Sequence, residues 1–226
     1  MGASRDSPLT TEFLLRAYAG GYFPMAESAG GPISWFSPDP RAIIPLDAFH
    51  PPRSLRQLIR RHLFAITVNR AFEEVIRACA DRRETWISGP IIEAYVALHR
   101  EGWAHSVEAW VEDRLAGGLY GVAIGGAFFG ESMFSRTSSA SKVALAALVQ
   151  RLREGGFQLL DTQFMNDHLR QFGTVEISRQ EYMRRLGDAL SCSATFDRPA
   201  AEPHAEPHAE PRTEPHAEPR TEPRGV

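Results

Sequence analysis

Two polar segments, each at the end of a strand-like run, constrain this chain more than any other feature. They are residues 130–135 (GESMFS) and 160–169 (LDTQFMNDHL). Between them, residues 141–153 have the apolar period of a single helix. A strand, a helix and a strand in this order can bring both strand ends to one cleft. That cleft would hold a carboxylate, a carboxylate–amide pair and an apolar slot, which suits an enzyme that binds a small apolar group beside a charged amine.

The composition indicates a globular protein without membrane helices or a disulfide framework. The chain has 226 residues and 43% hydrophobic residues, enough for one large domain or two small ones. No run reaches the roughly 18–20 apolar residues of a membrane helix, and the N-terminus lacks the apolar core of a signal peptide. There are two cysteines, Cys79 and Cys192. We therefore expect a cytoplasmic protein that does not associate with membranes.

The C-terminus is a repeat that cannot build a core. From Ala201 to Arg224 a tetrapeptide, Ala/Thr-Glu-Pro-His/Arg, occurs six times. Its six glutamates and three arginines account for the formal net charge of −3. Proline at every fourth position excludes a helix, and the repeat has no apolar side chains to bury. We predict that residues 199–226 form a disordered tail.

Residues 53–61 form an amphipathic helix with charge of one sign. Leu55, Leu58 and Ile59 lie on one side, and the arginines at helical spacing lie on the other. The basic residues are Arg53, Arg56, Arg60 and Arg61, and no carboxylate occurs among them. A solvated surface would account for the pattern, but the single sign favours an anionic partner. Arginines in such an array bind phosphates by Coulomb attraction and position a nucleic acid without reading its sequence.

The pattern of residues predicts an α+β fold, an α/β-type sandwich with a central mixed sheet flanked by helices. In the N-terminal part we expect a helix over residues 10–19, an apolar turn at 22–25 and a strand at 42–44. From residue 64 onward the predicted order is β-α-α-β-β-β-α-β-α, with neighbouring antiparallel strands at 106–110, 115–124 and 127–134. A capping box at Ser178 and Glu181 opens the last helix. We expect a small N-terminal domain over residues 1–62 and a larger domain over 63–198.

Eight stretches match the sequence patterns of a known family. They are residues 21–25 (GYFPM), 35–41 (WFSPDPR), 85–87 (TWI), 104–108 (AHSVE), 117–122 (GGLYGV), 130–135 (GESMFS), 140–142 (ASK) and 161–168 (DTQFMNDH). On these stretches, which lie within about residues 22–190, the chain resembles the leucyl/phenylalanyl-tRNA–protein transferases of bacteria. The family often has two adjacent tryptophans where this chain has Trp35 and Phe36.

The resemblance implies an activity and a fold. The family moves Leu or Phe, and also Met, from Leu-tRNA or Phe-tRNA to the N-terminal amine of proteins that begin with Arg or Lys, which marks them for degradation as N-degrons. It implies an acetyltransferase-like (GNAT-like) C-terminal domain that needs no cofactor. The sequence agrees on coenzyme A, because residues 136–142 at the predicted helix entry contain no glycine for a pyrophosphate turn.

By resemblance, Asp161 and Gln163 are the catalytic pair, and Glu131 holds the cationic end of the acceptor, either its ammonium or its side chain. Residues two apart on a strand face the same side, so we expect Asp161 and Gln163 to point into one cleft. The Gln163 carbonyl could accept a hydrogen bond from the amine. Asp161 could orient that amide or collect the proton through water. An isolated Asp-x-Gln at a strand end would more often cap a neighbouring helix.

Further residues are expected to bind the aminoacyl-tRNA. We assign the walls of the apolar slot to Leu119, Phe128, Met133, Phe134 and Phe164, with Ser135 and Thr162 nearby. Packing in the hydrophobic core would also explain these residues. Trp35 and Trp86 offer faces on which the terminal adenine could stack. The arginines of residues 53–61 are assigned to the tRNA phosphates.

Two other functions fit parts of the pattern. An acetyltransferase that uses acetyl-coenzyme A fits the fold, and a non-catalytic tRNA-binding protein fits the arginine helix. No third ligand accompanies His105 and His168 at metal spacing, so we expect no metal site. We expect a monomer, since one tRNA and one protein N-terminus require no second subunit.

Overall fold

The computed structural model describes residues 9–28 and 30–197, which form seven helices and nine strands. The helices are α1 (Thr11–Ala19), α2 (Arg53–Arg60), α3 (Phe72–Ala80), α4 (Gly89–Arg100), α5 (Ala140–Glu154), α6 (Asp167–Arg170) and α7 (Arg179–Leu190). The strands are β1 (Phe23–Ala26), β2 (Ile33–Phe36), β3 (Arg41–Ile44), β4 (Ala65–Val68), β5 (Ala104–Val111), β6 (Arg114–Ile124), β7 (Ala127–Ser135), β8 (Leu159–Gln163) and β9 (Val175–Ile177). The predicted tail lies outside the described residues.

A seven-stranded mixed sheet organises the molecule, with the order β4-β5-β6-β7-β8-β3-β9. Neighbours are antiparallel except β7 and β8, which are parallel. A parallel pair needs a crossover, and α5 supplies it. One face of the sheet packs on α1, α3, α4 and α7, and the other packs on α2 and α5. The prediction of a central mixed sheet flanked by helices is confirmed.

Side-chain caps account for the starts of two of the predicted helices. The Thr10 hydroxyl accepts a hydrogen bond from the Phe13 N–H and caps α1. The Ser178 hydroxyl accepts one from the Glu181 N–H and caps α7, as the capping box predicted. Each cap pairs one of the backbone donors that the first turn of a helix leaves without a partner.

Three short strands, β1, β2 and β9, were not predicted. β1 was expected to be a turn because it contains Pro24, which cannot donate to a ladder. It pairs only with β2, in a separate two-stranded ribbon where Pro24 lies opposite Trp35. β9 has three residues at the edge of the main sheet, too few for an alternating pattern to be recognised.

The seven-stranded sheet includes a strand from the predicted N-terminal domain. β3 lies between β8 and β9, although it precedes the expected boundary at residue 62. Residues on both sides of that boundary therefore belong to one sheet. The division at residue 62 stays a prediction.

The arginine-rich helix forms as predicted, with one difference on its apolar side. Leu55 is buried and Leu58 is half-buried on the face of the sheet that carries α5, but Ile59 is 36% exposed. The arginines of the helix are all exposed. Within the described residues, no helix combines the length and apolar character that crossing a membrane requires.

Candidate active site

A cavity of about 540 Å³ opens where β7 and β8 separate. Their last paired residues are Phe129 and Asp161, and the strands diverge beyond them. Residues 130–135 of β7 line the cavity, together with Leu160, Thr162, Gln163 and Phe164 from β8 and the loop after it. The two segments that stand out in the sequence therefore meet at one site.

The lining residues divide between the two faces of the sheet. The half beside α5 is apolar and contains Leu119, Met133, Leu145, Leu148, Leu160 and Leu169, whose side chains belong to or pack on the core of that face. The half on the opposite face is more polar and contains Phe23, Met25, Arg82, Trp86, Tyr120, Glu131 and Ser132. We call these the apolar half and the polar half of the cavity.

A β-bulge places Glu131 in the polar half. Tyr120 pairs with Ser132 across the ladder, but the next residue, Gly121, pairs with Gly130, so Glu131 is an extra residue without an opposite partner. A bulge interrupts the alternation of side chains and re-aims them. Gly121 also permits a close approach, because a Cβ atom there would lie 2.3 Å from the Phe129 carbonyl oxygen.

Glu131 is a buried carboxylate that is held by neutral donors. The Tyr18 hydroxyl donates to its Oε1 at 2.7 Å, the Tyr95 hydroxyl donates to its Oε2 at 3.2 Å, and the Gln163 Nε2 donates to Oε1 at 3.3 Å. The two tyrosine hydroxyls are also hydrogen-bonded to each other. Within the described part of the chain, Glu131 has no ion-pair partner. Burial raises its pKa to about 7, so it can bind a cation or exchange a proton near neutral pH.

Asp161 differs from the expectation because it does not line the cavity. It is fully buried, and its carboxylate accepts hydrogen bonds from the Arg41 Nε (2.9 Å), the Arg41 Nη2 (2.6 Å), the Tyr182 hydroxyl (2.8 Å) and the Gln163 N–H (2.9 Å). These four donors occupy both oxygens. Asp161 is thus an anchor for the end of β8, and its expected part in the proton transfer stays a prediction.

Gln163 lines the cavity from the end of β8. Its φ is +60°, in the left-handed region, and the β3–β8 ladder shifts register at Ala42. The side chains of Asp161 and Gln163 still lie on one face of the sheet, because Asp161 contacts Tyr182 of α7 and Gln163 contacts Glu131, which the tyrosines of α1 and α4 hold. Of the two, only Gln163 lines the cavity. The hydrogen bond from the Gln163 N–H to Asp161 helps to hold this uncommon conformation.

Most of the other predicted binding residues line the cavity. They are Trp86, Leu119, Met133, Phe134, Ser135 and Phe164. Two do not line the cavity, and their expected binding roles stay predictions. Phe128 is fully buried in the core beside Phe157 and Phe196. Trp35 is half-buried and packs edge-to-face on Phe13 at 5.1 Å.

The arginines of α2 lie outside the cavity lining. Arg53, Arg56, Arg60 and Arg61 are exposed, and the only acidic or basic residue in the last turn of this helix is Arg60. Their place on the protein surface leaves them available to an extended polyanion.

Sequence reasoning missed the residues that hold the two carboxylates. Tyr18 and Tyr95 occupy apolar stripes of α1 and α4, where a tyrosine looks like any core residue. Tyr182 does the same in α7. Arg41 carried a usable signal, since it begins a strand whose four residues are all buried, and a buried arginine requires an anion.

The residues that the structure describes do not form a recognisable metal or pyrophosphate site. Among the described residues, no group of three or more His, Cys, Asp or Glu side chains could hold a metal ion. The entry to α5 has Ser139 at its N-cap, with φ +67° and no side-chain cap, and residues 136–142 contain no glycine.

Comparison with known proteins identifies the family. The model of the family described as leucyl/phenylalanyl-tRNA protein transferase matches residues 43–187, and the model of that family's N-terminal domain matches residues 7–39. A leucyl/phenylalanyl-tRNA–protein transferase of Paramagnetospirillum magneticum is 57% identical over 198 residues, which cover 85% of this chain and 95% of that protein. One of Salinibacter ruber is 56% identical over 185 residues, which cover 82% of each chain.

A solved structure of L-PGS from Bacillus licheniformis aligns with 71% of this chain and 55% of its own, at 14% identity and a TM-score of 0.40. The sequence matches carry the assignment, because they extend over both segments that line the cavity. The chain belongs to the leucyl/phenylalanyl-tRNA–protein transferase family.

Proposed function

We propose that this protein transfers Leu or Phe, and also Met, from aminoacyl-tRNA to the α-amine of proteins that begin with Arg or Lys. The product is a new peptide bond and an N-degron. Membership in the family supports an aminoacyl-tRNA as the donor and a protein as the acceptor. The buried carboxylate of Glu131 in the cavity supports the preference for N-terminal Arg or Lys.

One observation carries the proposal: the cavity presents an apolar slot on one face of the sheet and an unpaired buried carboxylate on the other. The slot suits the apolar side chain of the transferred residue. Glu131 suits a cation, because a buried carboxylate without a counter-charge gains most from binding one. Gln163 lies at the junction, since its side chain contacts Glu131 and its strand also carries Leu160 of the slot.

The chemistry needs alignment more than strong acid–base catalysis. The amine nitrogen attacks the ester carbonyl carbon, the bond from that carbon to the ribose oxygen breaks, and the ribose hydroxyl departs with a proton. An α-amine has a pKa near 8, so a useful fraction is neutral at physiological pH. Holding the amine against the ester carbonyl lowers the activation free energy, by on the order of 7–11 kcal/mol in well-oriented systems.

Gln163 and Glu131 are the groups placed to hold that amine. The Gln163 carbonyl can accept a hydrogen bond from it, and the ionised Glu131 carboxylate attracts the cationic acceptor. Asp161 acts behind them by fixing the backbone of Gln163. Its own oxygens are already used by Arg41, Tyr182 and the Gln163 N–H.

The slot explains the choice of transferred residue. Leu, Phe and Met are unbranched at Cβ and apolar at the end, and discrimination among such groups gives only about 1–3 kcal/mol per methylene. A slot with several leucines and Met133 can adapt to all three shapes. Of the two tryptophans expected to stack on the terminal adenine, Trp86 lines the cavity; such stacking is worth roughly 1–3 kcal/mol.

The surface of α2 is proposed to bind the tRNA backbone. Arg53, Arg56, Arg60 and Arg61 are exposed and carry one sign of charge, which favours phosphates. A GNAT-like fold for the larger domain, a monomeric state and a cytoplasmic location stay predictions.

The test uses purified protein, radiolabelled Leu-tRNA and two peptides that differ only in N-terminal Arg or Ala. We expect label to move to the Arg peptide alone. The Glu131→Gln variant should lose most of this transfer, while Glu93→Gln, which changes an exposed glutamate on α4, should not. Binding of the tRNA should be unchanged in both variants.

The two alternatives predict different results. Absence of transfer with the tRNA still bound would indicate a non-catalytic tRNA-binding protein. Acetylation of the Arg peptide from labelled acetyl-coenzyme A, without transfer from the tRNA, would indicate an acetyltransferase.

A further inference from the structure

One hydroxyl group in the polar half of the cavity has no partner. Tyr120 is fully buried and lines the cavity, and its hydroxyl is one of three buried side-chain polar atoms within the described residues that lack a hydrogen bond. Leaving such a group unpaired is unfavourable, and native proteins rarely do so without a reason. A ligand that enters the cavity would satisfy it.

The surroundings of this hydroxyl favour a cationic ligand. The ring of Tyr120 is fixed by edge-to-face contacts with Tyr95 (5.7 Å) and Phe72 (5.8 Å). Burial, and then the charge of Glu131, raise its pKa well above the ordinary value. The hydroxyl therefore stays protonated, and its oxygen faces the field of a negative charge. An N–H donor of a cation could bind the oxygen and the carboxylate together.

Arg82 also lines this half of the cavity, but its guanidinium points to the protein. Its Nε donates to the Cys79 carbonyl oxygen at 2.8 Å, and its Nη2 donates to the Ser132 hydroxyl and the Met133 carbonyl oxygen at 3.0 Å each. Arg82 therefore lines one side of the polar half, and its Nε and Nη2 donors point away from a ligand.

The position of Tyr120 indicates which of two cationic groups of the acceptor it would bind, the α-amine or the end of the first side chain. The α-amine must lie at the ester, where the two halves of the cavity meet beside Gln163. Tyr120 lies on β6, one strand further from β8, opposite Ser132. A long side chain such as that of Arg or Lys extends away from its own α-amine far enough to reach there.

We propose that the Tyr120 hydroxyl and Glu131 together bind the guanidinium or ammonium group of the acceptor's first side chain. Tyr120 is then a residue that determines acceptor specificity. This inference rests on the proposed function and adds the residue that reads the acceptor.

The test is the Tyr120→Phe variant, which removes the hydroxyl and keeps the ring. Steady-state transfer is measured with Leu-tRNA and with peptides that begin with Arg or Lys. We expect the KM for both peptides to rise about 10- to 100-fold, as for the loss of one hydrogen bond to a charged group. The KM for Leu-tRNA should be unchanged. The melting temperature should be equal to or above that of the wild type, because no hydrogen bond is lost in the free protein.

The matched control is Tyr22→Phe, since Tyr22 is 42% exposed and lies outside the cavity lining. Its kinetic constants should stay at wild-type values. An unchanged peptide KM in Tyr120→Phe, or an equal rise in the KM for the tRNA, would overturn the inference while the proposed function stands. A clear fall in melting temperature would overturn it too, because the hydroxyl would then have a partner inside the protein. If the wild type transfers nothing, the proposed function itself fails.

Discussion

The buried ion pair between Arg41 and Asp161 should control the stability of the site. Arg41 is 1% exposed and Asp161 is fully buried. The guanidinium makes two hydrogen bonds to the carboxylate and lies over the rings of Phe23 and Tyr182, at 4.7 and 4.5 Å. The Arg41→Met variant removes the charge but keeps an apolar chain of similar length between these rings.

We expect this variant to lose about 3–5 kcal/mol of unfolding free energy, because it leaves a buried carboxylate without its counter-charge. For a protein of this size, about 2–4 °C of melting temperature corresponds to 1 kcal/mol. The melting temperature should therefore fall by about 6–20 °C. The measurement is thermal and urea unfolding, followed by circular dichroism.

A second variant separates the charge from the packing. In Arg41→Met combined with Asp161→Asn, the buried charge is gone; the amide oxygen can accept from the Gln163 N–H, and the amide NH2 can donate to the Tyr182 hydroxyl oxygen. The double variant should regain most of the lost stability. A loss below about 1 kcal/mol in the single variant, or a double variant no more stable than the single one, would refute the reasoning.

Two further predictions follow from titrating groups. Because burial raises the pKa of Glu131 to about 7, the ionised fraction of this carboxyl group falls about ten-fold between pH 8 and pH 6. The ratio of the wild-type transfer rate to the Glu131→Gln transfer rate should fall likewise. A constant ratio would count against a role for the charge of Glu131. Burial lowers the pKa of His105 to about 4, so its contribution to stability is present above pH 6.5 and is lost as the pH falls toward 4. Urea unfolding at pH 7 and pH 4.5 should show a larger loss for the wild type than for His105→Gln. Glu131 acts in the opposite direction, since its raised pKa favours the folded state as the pH falls from 7 to about 4.5, and comparison of the two proteins cancels this term.

Much of the fold could be predicted because its signals are local. Alternation along residues 106–134 indicated the antiparallel strands β5, β6 and β7, and the caps at Thr10 and Ser178 indicated two helix starts. The helix between β7 and β8 indicated that their ends would meet, and both ends line the cavity. Short strands such as β9 carry too few residues for such patterns.

The sequence by itself determined which segments meet at the site, and the tertiary structure decided which of their side chains line it. Alternation predicted that Asp161 and Gln163 share a face, and their contacts do lie on one face of the sheet, but Arg41 and Tyr182 cover Asp161 and only Gln163 lines the cavity. Glu131 faces the cavity because a bulge in the pairing of β6 with β7 re-aims it. Its partner Tyr18 and the partner of Asp161, Arg41, lie 113 and 120 residues away along the chain. Patterns of period 2 and 3.6 report only on neighbours in sequence, whereas burial and charge pairing depend on contacts that form when distant segments pack together.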